Sequence, residues 1–222
     1  MLTTSEARAE RPQIWQEQEA NERCPTCDAA LPRGFRFCGQ CGRALAATLA
    51  PAPGDLLTIA FIDLEGFTTF ASRVEEEEVR ELIRAFHALV REQVGRHGGF
   101  EVKQMGDGFM LAFANPARAV ACAADIQRAV ARESGDGLST SIRVSAGLNS
   151  GDAIREGDDF FGHTVNVASR IAGRADGGQV LISESTRELV GQMDGVRIVD
   201  VGRRRLRGIA PRHRLFEVVW WE

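Results

Sequence analysis

The sequence contains no tyrosine, and of its 27 basic residues only one, Lys103, is a lysine. Such a bias fits genome composition, yet it makes Lys103 conspicuous. Arginine supplies positive charge everywhere else, so a lone lysine points to a place that needs a compact ammonium rather than a planar fork. Apolar runs are short and broken by charge, which excludes a membrane-spanning helix. Met1 to Glu10 carry Glu and Arg and no apolar h-region, so no secretory leader is expected. Excess positive charge is absent too. The net charge of −4 and pI near 5.7 argue against a basic nucleic-acid-binding domain. Cysteine is scarce and uneven, with four of five between Cys24 and Cys41 and the fifth at Cys122. A disulfide framework would spread them. The expectation is a cytoplasmic protein with no membrane and no nucleic acid as partners.

What remains is ordinary globular composition, 44% hydrophobic and 26% charged over 222 residues. That suffices for one domain and a small extra, or two small domains. Residues 1–23 read as a tail or a short helix. Residues 24–45 hold Cys24-Pro25-Thr26-Cys27, ten intervening residues, and Cys38-Gly39-Gln40-Cys41. Two such knuckles close a tetrahedral thiolate shell, which suits structural Zn²⁺ and leaves no open catalytic position. A redox Cys-x-x-Cys stands alone near a βαβ unit, and here there are two. One Zn²⁺ per chain is expected on Cys24, Cys27, Cys38 and Cys41, in a zinc ribbon that either binds a regulatory protein partner or only packs on its neighbour. Residues 46–54 are small and Pro-bearing, a linker.

From residue 55 to 222 the pattern is α+β. Leu56 to Phe61 suits a buried central strand. Val79, Leu82, Ile83, Phe86, Leu89, Val90 and Val94 recur at helical spacing, and Gly98-Gly99 stops that helix. Phe100 to Gln104 and Phe109 to Phe113 are strands around Met105-Gly106-Asp107-Gly108, a hairpin signal. Asn115-Pro116 marks the next helix start. Strands follow at Ile142 to Leu148 and Ala153 to Arg155, a helix at Val165 to Ala172, a strand at Val180 to Ile182 and a helix at Ser183 to Val190. Val196 to Val201 and Arg214 to Val219 close the domain. The order β-α-β-β-α-β is a ferredoxin-like, split βαβ sheet, expected with helices on one face. Cys122 reads as an inert buried thiol, and His87 and His97 as surface or cap residues. Arg203 to Arg205 read as a solvated strand edge. His163 receives no role, and Trp220 and Trp221 are expected to pack on the sheet or on a dimer face.

Asp63 ends the first strand and Asp107 sits on the hairpin tip. Taken singly, they read equally well as a helix cap and a turn residue. If the hairpin lies beside the first strand, two hard oxygen ligands meet at one sheet edge and suit Mg²⁺ or Mn²⁺. Gly66, Phe67 and Thr68 would then offer backbone N–H groups to phosphates at the next helix start.

The stretches FIDLEGFT, EVKQMGDGF, DFFGHTVNVASR and LRGIAPRHRLFEV resemble the class III adenylate/guanylate cyclase catalytic domain, and the Cys-rich head resembles a zinc ribbon. The third stretch is the most specific and the last the least. The resemblance implies two Mg²⁺ or Mn²⁺ per site on Asp63 and Asp107, helped by the backbone carbonyl of Leu64. It implies that Lys103 and Asp159 select the base, that Asn166 orients the ribose and that Arg170 meets the transition state. Arg207 stands where the family has a triphosphate-gripping lysine, so charge is kept while a point charge becomes a fork. Asn166 and Arg170, four apart, share one helix face. Adenine presents an acceptor at N1 and a donor at its 6-amino group, matching an ammonium and a carboxylate. Guanine reverses both and would leave them unpaired, at a cost on the order of 10⁴ in discrimination. The implied activity is conversion of ATP to 3′,5′-cyclic AMP and pyrophosphate at a homodimer interface, because one chain carries both residue sets. The alternatives are a guanylate cyclase and a non-catalytic nucleotide-binding module with a partner-binding zinc ribbon.

Overall fold

The computed structural model describes residues 22–23, 30–31, 56–135 and 143–221. The four clustered cysteines, the segment 46–54 and the rest of 1–55 lie outside these. The chain forms two compact units, 1–47 and 48–222. In the first, β1 (Glu22–Arg23) pairs antiparallel with β2 (Ala30–Leu31). Glu22 and Arg23 are therefore strand, where a tail or helix was expected.

The second unit runs β3 (Leu56–Glu65), α1 (Phe67–Ala71), α2 (Glu76–His97), β4 (Phe100–Met105), β5 (Gly108–Phe113), α3 (Pro116–Gly135), β6 (Arg143–Asp152), β7 (Ile154–Glu156), β8 (Asp159–Phe161), α4 (His163–Ala172), β9 (Val180–Ser183), α5 (Glu184–Val190), β10 (Arg197–Leu206) and β11 (Ile209–Val219). Its seven-stranded sheet has the order β10-β11-β9-β6-β3-β5-β4. The segment β6-β3-β5-β4 is the expected split βαβ arrangement, and only β6 and β9 pair in parallel. β7 and β8 form a separate hairpin. β3 is continuously buried from Leu57 to Ala60 because it is central and both faces are covered.

Those two covers correct one expectation, since helices lie on both faces. Ala60, Ile62 and Leu64 pack with Phe86, Val90 and Val94 of α2 and with Val120, Ala123 and Ile126 of α3. Leu57 and Ile59, alternating with them, pack with Met110, Ala112, Phe160 and Ala168, the last from α4. α4 lies so close to β6 that a Cβ built on Gly147 would stand 2.0 Å from the backbone nitrogen of Ala172. Its stripe of Val167 and Ile171 meets Leu181, Leu206 and Leu215, which binds the β10–β11 arm to the same face.

Local signals were faithful. Gly98 takes φ 68° and Gly99 donates to the Val94 carbonyl at 2.9 Å, closing α2. Asn115 Oδ1 accepts from the Arg118 N–H at 3.1 Å and caps α3. Cys122 is buried, and that burial pushes its thiol up. His87 is buried against Phe109 rather than placed on the surface, with ring centroids 4.9 Å apart. His97 shares a hydrogen bond of 2.9 Å with Asp125. Trp220 donates to the Gly178 carbonyl at 2.7 Å and meets Trp221 edge to face. No described helix is long and apolar enough to cross a membrane.

Candidate active site

Asp63 lies within β3 rather than at its end, because the strand continues to Glu65 against β6 (Asp63 opposite Ser145, Glu65 opposite Arg143). By alternation its side chain is on the α4 face with Leu57, Ile59 and Phe61. β5 pairs with β3 from Thr58 to Ile62, which carries the hairpin tip to the end of β3. Asp63 and Asp107 both line a groove of about 700 Å³, together with Leu64, Gly66, Gly108 and Ser145. The β3–β5 approach is tight. A Cβ on Gly108 would stand 2.8 Å from Asp63 Oδ1 and 2.8 Å from the Ile62 carbonyl. Glycine follows Asp107 for that reason, a requirement that a turn signal alone does not reveal.

The electrostatics follow from this geometry. Loss of solvent in the groove, and then the Asp107 charge, push the Asp63 carboxyl above the usual carboxylate range, while the Leu64 N–H pulls it part of the way back. Two acids that repel each other form a place where a divalent ion lowers the energy. Glu65 also reaches the groove but faces Arg143 at 3.6 Å. No cluster of three or more His, Cys, Asp or Glu able to hold a metal occurs among the described residues. Further oxygen ligands would have to come from backbone carbonyls such as that of Leu64, from substrate or from water. The donor set is all hard oxygen and fits Mg²⁺ or Mn²⁺.

Next to the acids the chain turns into α1. The first N–H groups of a helix have no intrahelical acceptor, and Gly66, at φ 75°, makes the bend that leads into it. The Phe67 side chain packs toward the core. The five-residue α1 is an element the periodicity did not reveal.

Lys103 and Asp159 meet. Lys103 Nζ donates to Asp159 Oδ2 at 2.6 Å, across 56 residues of sequence, and each side chain remains about half exposed. That bond, first of all, holds the Asp159 carboxyl below the usual range. β8 supplies the aspartate, whose Oδ1 also accepts from the Phe160 N–H at 2.8 Å. Phe160 is buried edge to face on Phe100 of β4, and that pair of rings clamps the two elements together.

Arg170 and Ser169 of α4 reach the same groove as the acids; Asn166, one turn earlier, is exposed and does not line it. Lys103 and Asp159 do not line it either. Arg207 is at the tip of the β10–β11 hairpin, beside Arg174 and Arg205 on a separate open pocket. One chain thus unites Asp63, Leu64, Gly66, Asp107 and Arg170, unites Lys103 with Asp159, and leaves Asn166 and Arg207 apart from both sets.

Comparison with known proteins is consistent with this layout. The family described as the adenylate and guanylate cyclase catalytic domain matches residues 49–220. A pH-sensitive adenylate cyclase of Mycobacterium tuberculosis is 37% identical over 172 residues, 76% of this chain and 42% of that protein, so the chain spans less than half of its relative. Adenylate cyclases from Trypanosoma brucei, solved in their monomeric state, share the fold at a TM-score of 0.67 and 23% identity, over 76% of this chain and 91% of theirs. The guanylyl cyclase Cya2 superposes at a TM-score of 0.61 with 26% identity, over 73% and 91%. Similarity therefore extends to enzymes named for either purine. With the acid pair, the split βαβ sheet and these matches together, the chain belongs to the adenylate and guanylate cyclase catalytic domain family.

Proposed function

We propose that this protein is an adenylate cyclase that converts ATP to 3′,5′-cyclic AMP and pyrophosphate. The observation that carries the reading is the Lys103–Asp159 couple, a donor and an acceptor 2.6 Å apart with half of each side chain open to solvent. The pair complements the N1 acceptor and 6-amino donor of adenine, and guanine would leave both partners unmatched.

In the reaction the ribose 3′-oxygen bonds to the α-phosphorus, the bond from that phosphorus to the bridging oxygen breaks, and pyrophosphate leaves with the electron pair. The hydroxyl proton passes to solvent. Asp63 and Asp107 hold the divalent cations, with the Leu64 carbonyl as a further oxygen. When bound, those ions supply Lewis acidity at the hydroxyl and neutralise phosphate charge. Backbone N–H groups of Gly66, Phe67 and Thr68 receive phosphate oxygens. Arg170 offsets charge that grows on the α-phosphate and the bridging oxygen, Asn166 orients the ribose, and Arg207 grips the triphosphate.

The separation of these sets in one chain supports a site shared across a two-fold homodimer, in which one copy's acids face the other copy's base couple. We further propose that Cys24, Cys27, Cys38 and Cys41 bind one structural Zn²⁺ per chain. Elemental analysis should find it, and Cys38→Ser should lose it. The deciding assay incubates purified protein with Mn²⁺ and either ATP or GTP across a range of protein concentration, followed by chromatography of the cyclic product. Cyclic AMP formed in proportion to dimer supports the reading. A GTP preference makes the protein a guanylate cyclase, and no product at dimer-forming concentration makes it a nucleotide-binding module.

A further inference from the structure

β4 carries an irregularity that decides where Lys103 points. Glu101 lies opposite Leu111, but Lys103, not Val102, lies opposite Met110, and Gln104 lies opposite Phe109. The register therefore slips by one at Val102, a β-bulge. Opposed residues share a face. Met110 belongs to the face covered by α4, whereas Leu111 and Phe109 belong to the face covered by α2 and α3. Regular alternation would have set Lys103 opposite Phe109 on the α2 face, where Gln104 now stands, and away from Asp159. The bulge turns it to the α4 face, where Asp159 stands.

The same slip puts Glu101 and Gln104, three residues apart, on the α2 face together. There one side chain of α2 holds both. Arg91 donates through Nε and Nη2 to the two carboxylate oxygens of Glu101 at 2.8 Å each, and through Nη2 to Gln104 Oε1 at 3.1 Å. Its guanidinium carbon also stands 5.5 Å from the ring centroid of Phe109. This is a bidentate, half-buried clamp in which lysine could not substitute. In a strand without the bulge, Glu101 and Gln104 would face opposite ways and Arg91 could reach only one of them.

We propose that Arg91 is a positioning residue for purine selection: its clamp on Glu101 and Gln104 fixes the β4 bulge and thereby the side of the sheet on which Lys103 meets Asp159. The purine part rests on the adenine reading above; the geometric part does not.

Because Lys103 is the only lysine, protein grown with ¹³Cε,¹⁵Nζ-lysine gives one side-chain signal, so the position of this ammonium is read directly and without turnover. Asp159→Asn sets the shift expected when the couple is broken. Arg91→Gln and Glu101→Gln should move the signal in that direction, and Arg91→Lys should not restore it. Arg80→Gln, which removes an exposed pair with Glu76 and Glu77 on the same helix, should leave the signal in place. In turnover, Arg91→Gln should reduce the ratio of kcat/KM for ATP over GTP about tenfold, mainly through KM. A wild-type lysine signal in folded Arg91→Gln and Glu101→Gln proteins overturns the proposal, and if Arg91→Gln does not fold, Glu101→Gln alone decides. If the signal moves while the wild-type enzyme shows no preference for ATP, the positioning role stands and the adenine reading fails.

Discussion

The two charged centres of this domain are built on opposite plans. At the β3–β5 edge, loss of solvent and then the Asp107 charge push Asp63 toward its protonated form. At the β4–β8 contact, Lys103 and Asp159 satisfy each other, and Asp159 is held ionised. The first centre is one that a cation would stabilise. The second is complete without a ligand, so a base must share or displace an existing ion pair. An edge that repels itself suits metal and phosphate, where binding energy comes from relieved repulsion. A preformed donor–acceptor couple suits recognition, where a mismatched partner leaves groups unpaired.

The largest effect that separates the two centres is expected at the acids. Asp107→Ala should lower cyclic nucleotide formation by roughly 10³-fold or more, as removal of a metal ligand does, while the Lys103 signal stays in place. If Arg170 serves the partner copy's acids, mixing Asp107→Ala with Arg170→Ala regains about one working site per heterodimer in a subunit-exchange assay. Recovery of nothing would mean that Arg170 serves the acids of its own chain, whose groove it lines.

At the base couple the loss should fall on choice rather than on rate. Lys103→Ala is expected to reduce the ATP-over-GTP ratio on the order of 10²-fold, measured as kcat/KM for each nucleotide, with a smaller fall in kcat at saturation. Equal losses for both nucleotides would show that the couple does not read the base.

A backbone perturbation sharpens the contrast. Gly108→Ala inserts a methyl 2.8 Å from the Ile62 carbonyl and from Asp63 Oδ1. It should cost about 2 kcal/mol of stability by denaturant unfolding and impair turnover, without moving the purine ratio.

The smallest effects concern pH, and the two centres should differ in sign. Asp63 has a raised folded pKa, so its ionisation removes stability as pH rises from the ordinary carboxylate range through the raised value. Asp63→Asn should therefore raise the melting temperature of metal-free protein slightly at neutral pH, with the gain vanishing in acid. Asp159 has a lowered folded pKa, so it contributes stability above the ordinary range that is lost as pH falls through the depressed value. Asp159→Asn should lower the melting temperature slightly at neutral pH and have no effect in acid. Solvent screening keeps both changes small, because both side chains are substantially exposed. Thermal unfolding across pH checks both signs.

Much of the architecture was legible in the sequence because its signals are local. Helical spacing from Val79 to Val94 and the Gly98-Gly99 stop located α2. The Met105-Gly106-Asp107-Gly108 turn located the hairpin, and Asn115-Pro116 the start of α3. What stayed hidden depends on pairs distant along the chain. α1 is too short to show a period, and placement of α4 on the opposite face required knowing that Gly147 gives way to Ala172. His87 looked polar enough for a surface and proved to be packed on Phe109.

Sequence by itself determined the types of group available: two acids on neighbouring elements, one lysine among arginines, and glycines where the backbone must turn. These are properties of residue identity and short spacing. Tertiary structure alone decided that Lys103 meets Asp159 and that Arg91 holds Glu101 and Gln104 together, because a one-residue slip in β4 reverses which side of the sheet each residue faces. A bulge is set by what packs on both faces of its strand, and no window of the chain contains both.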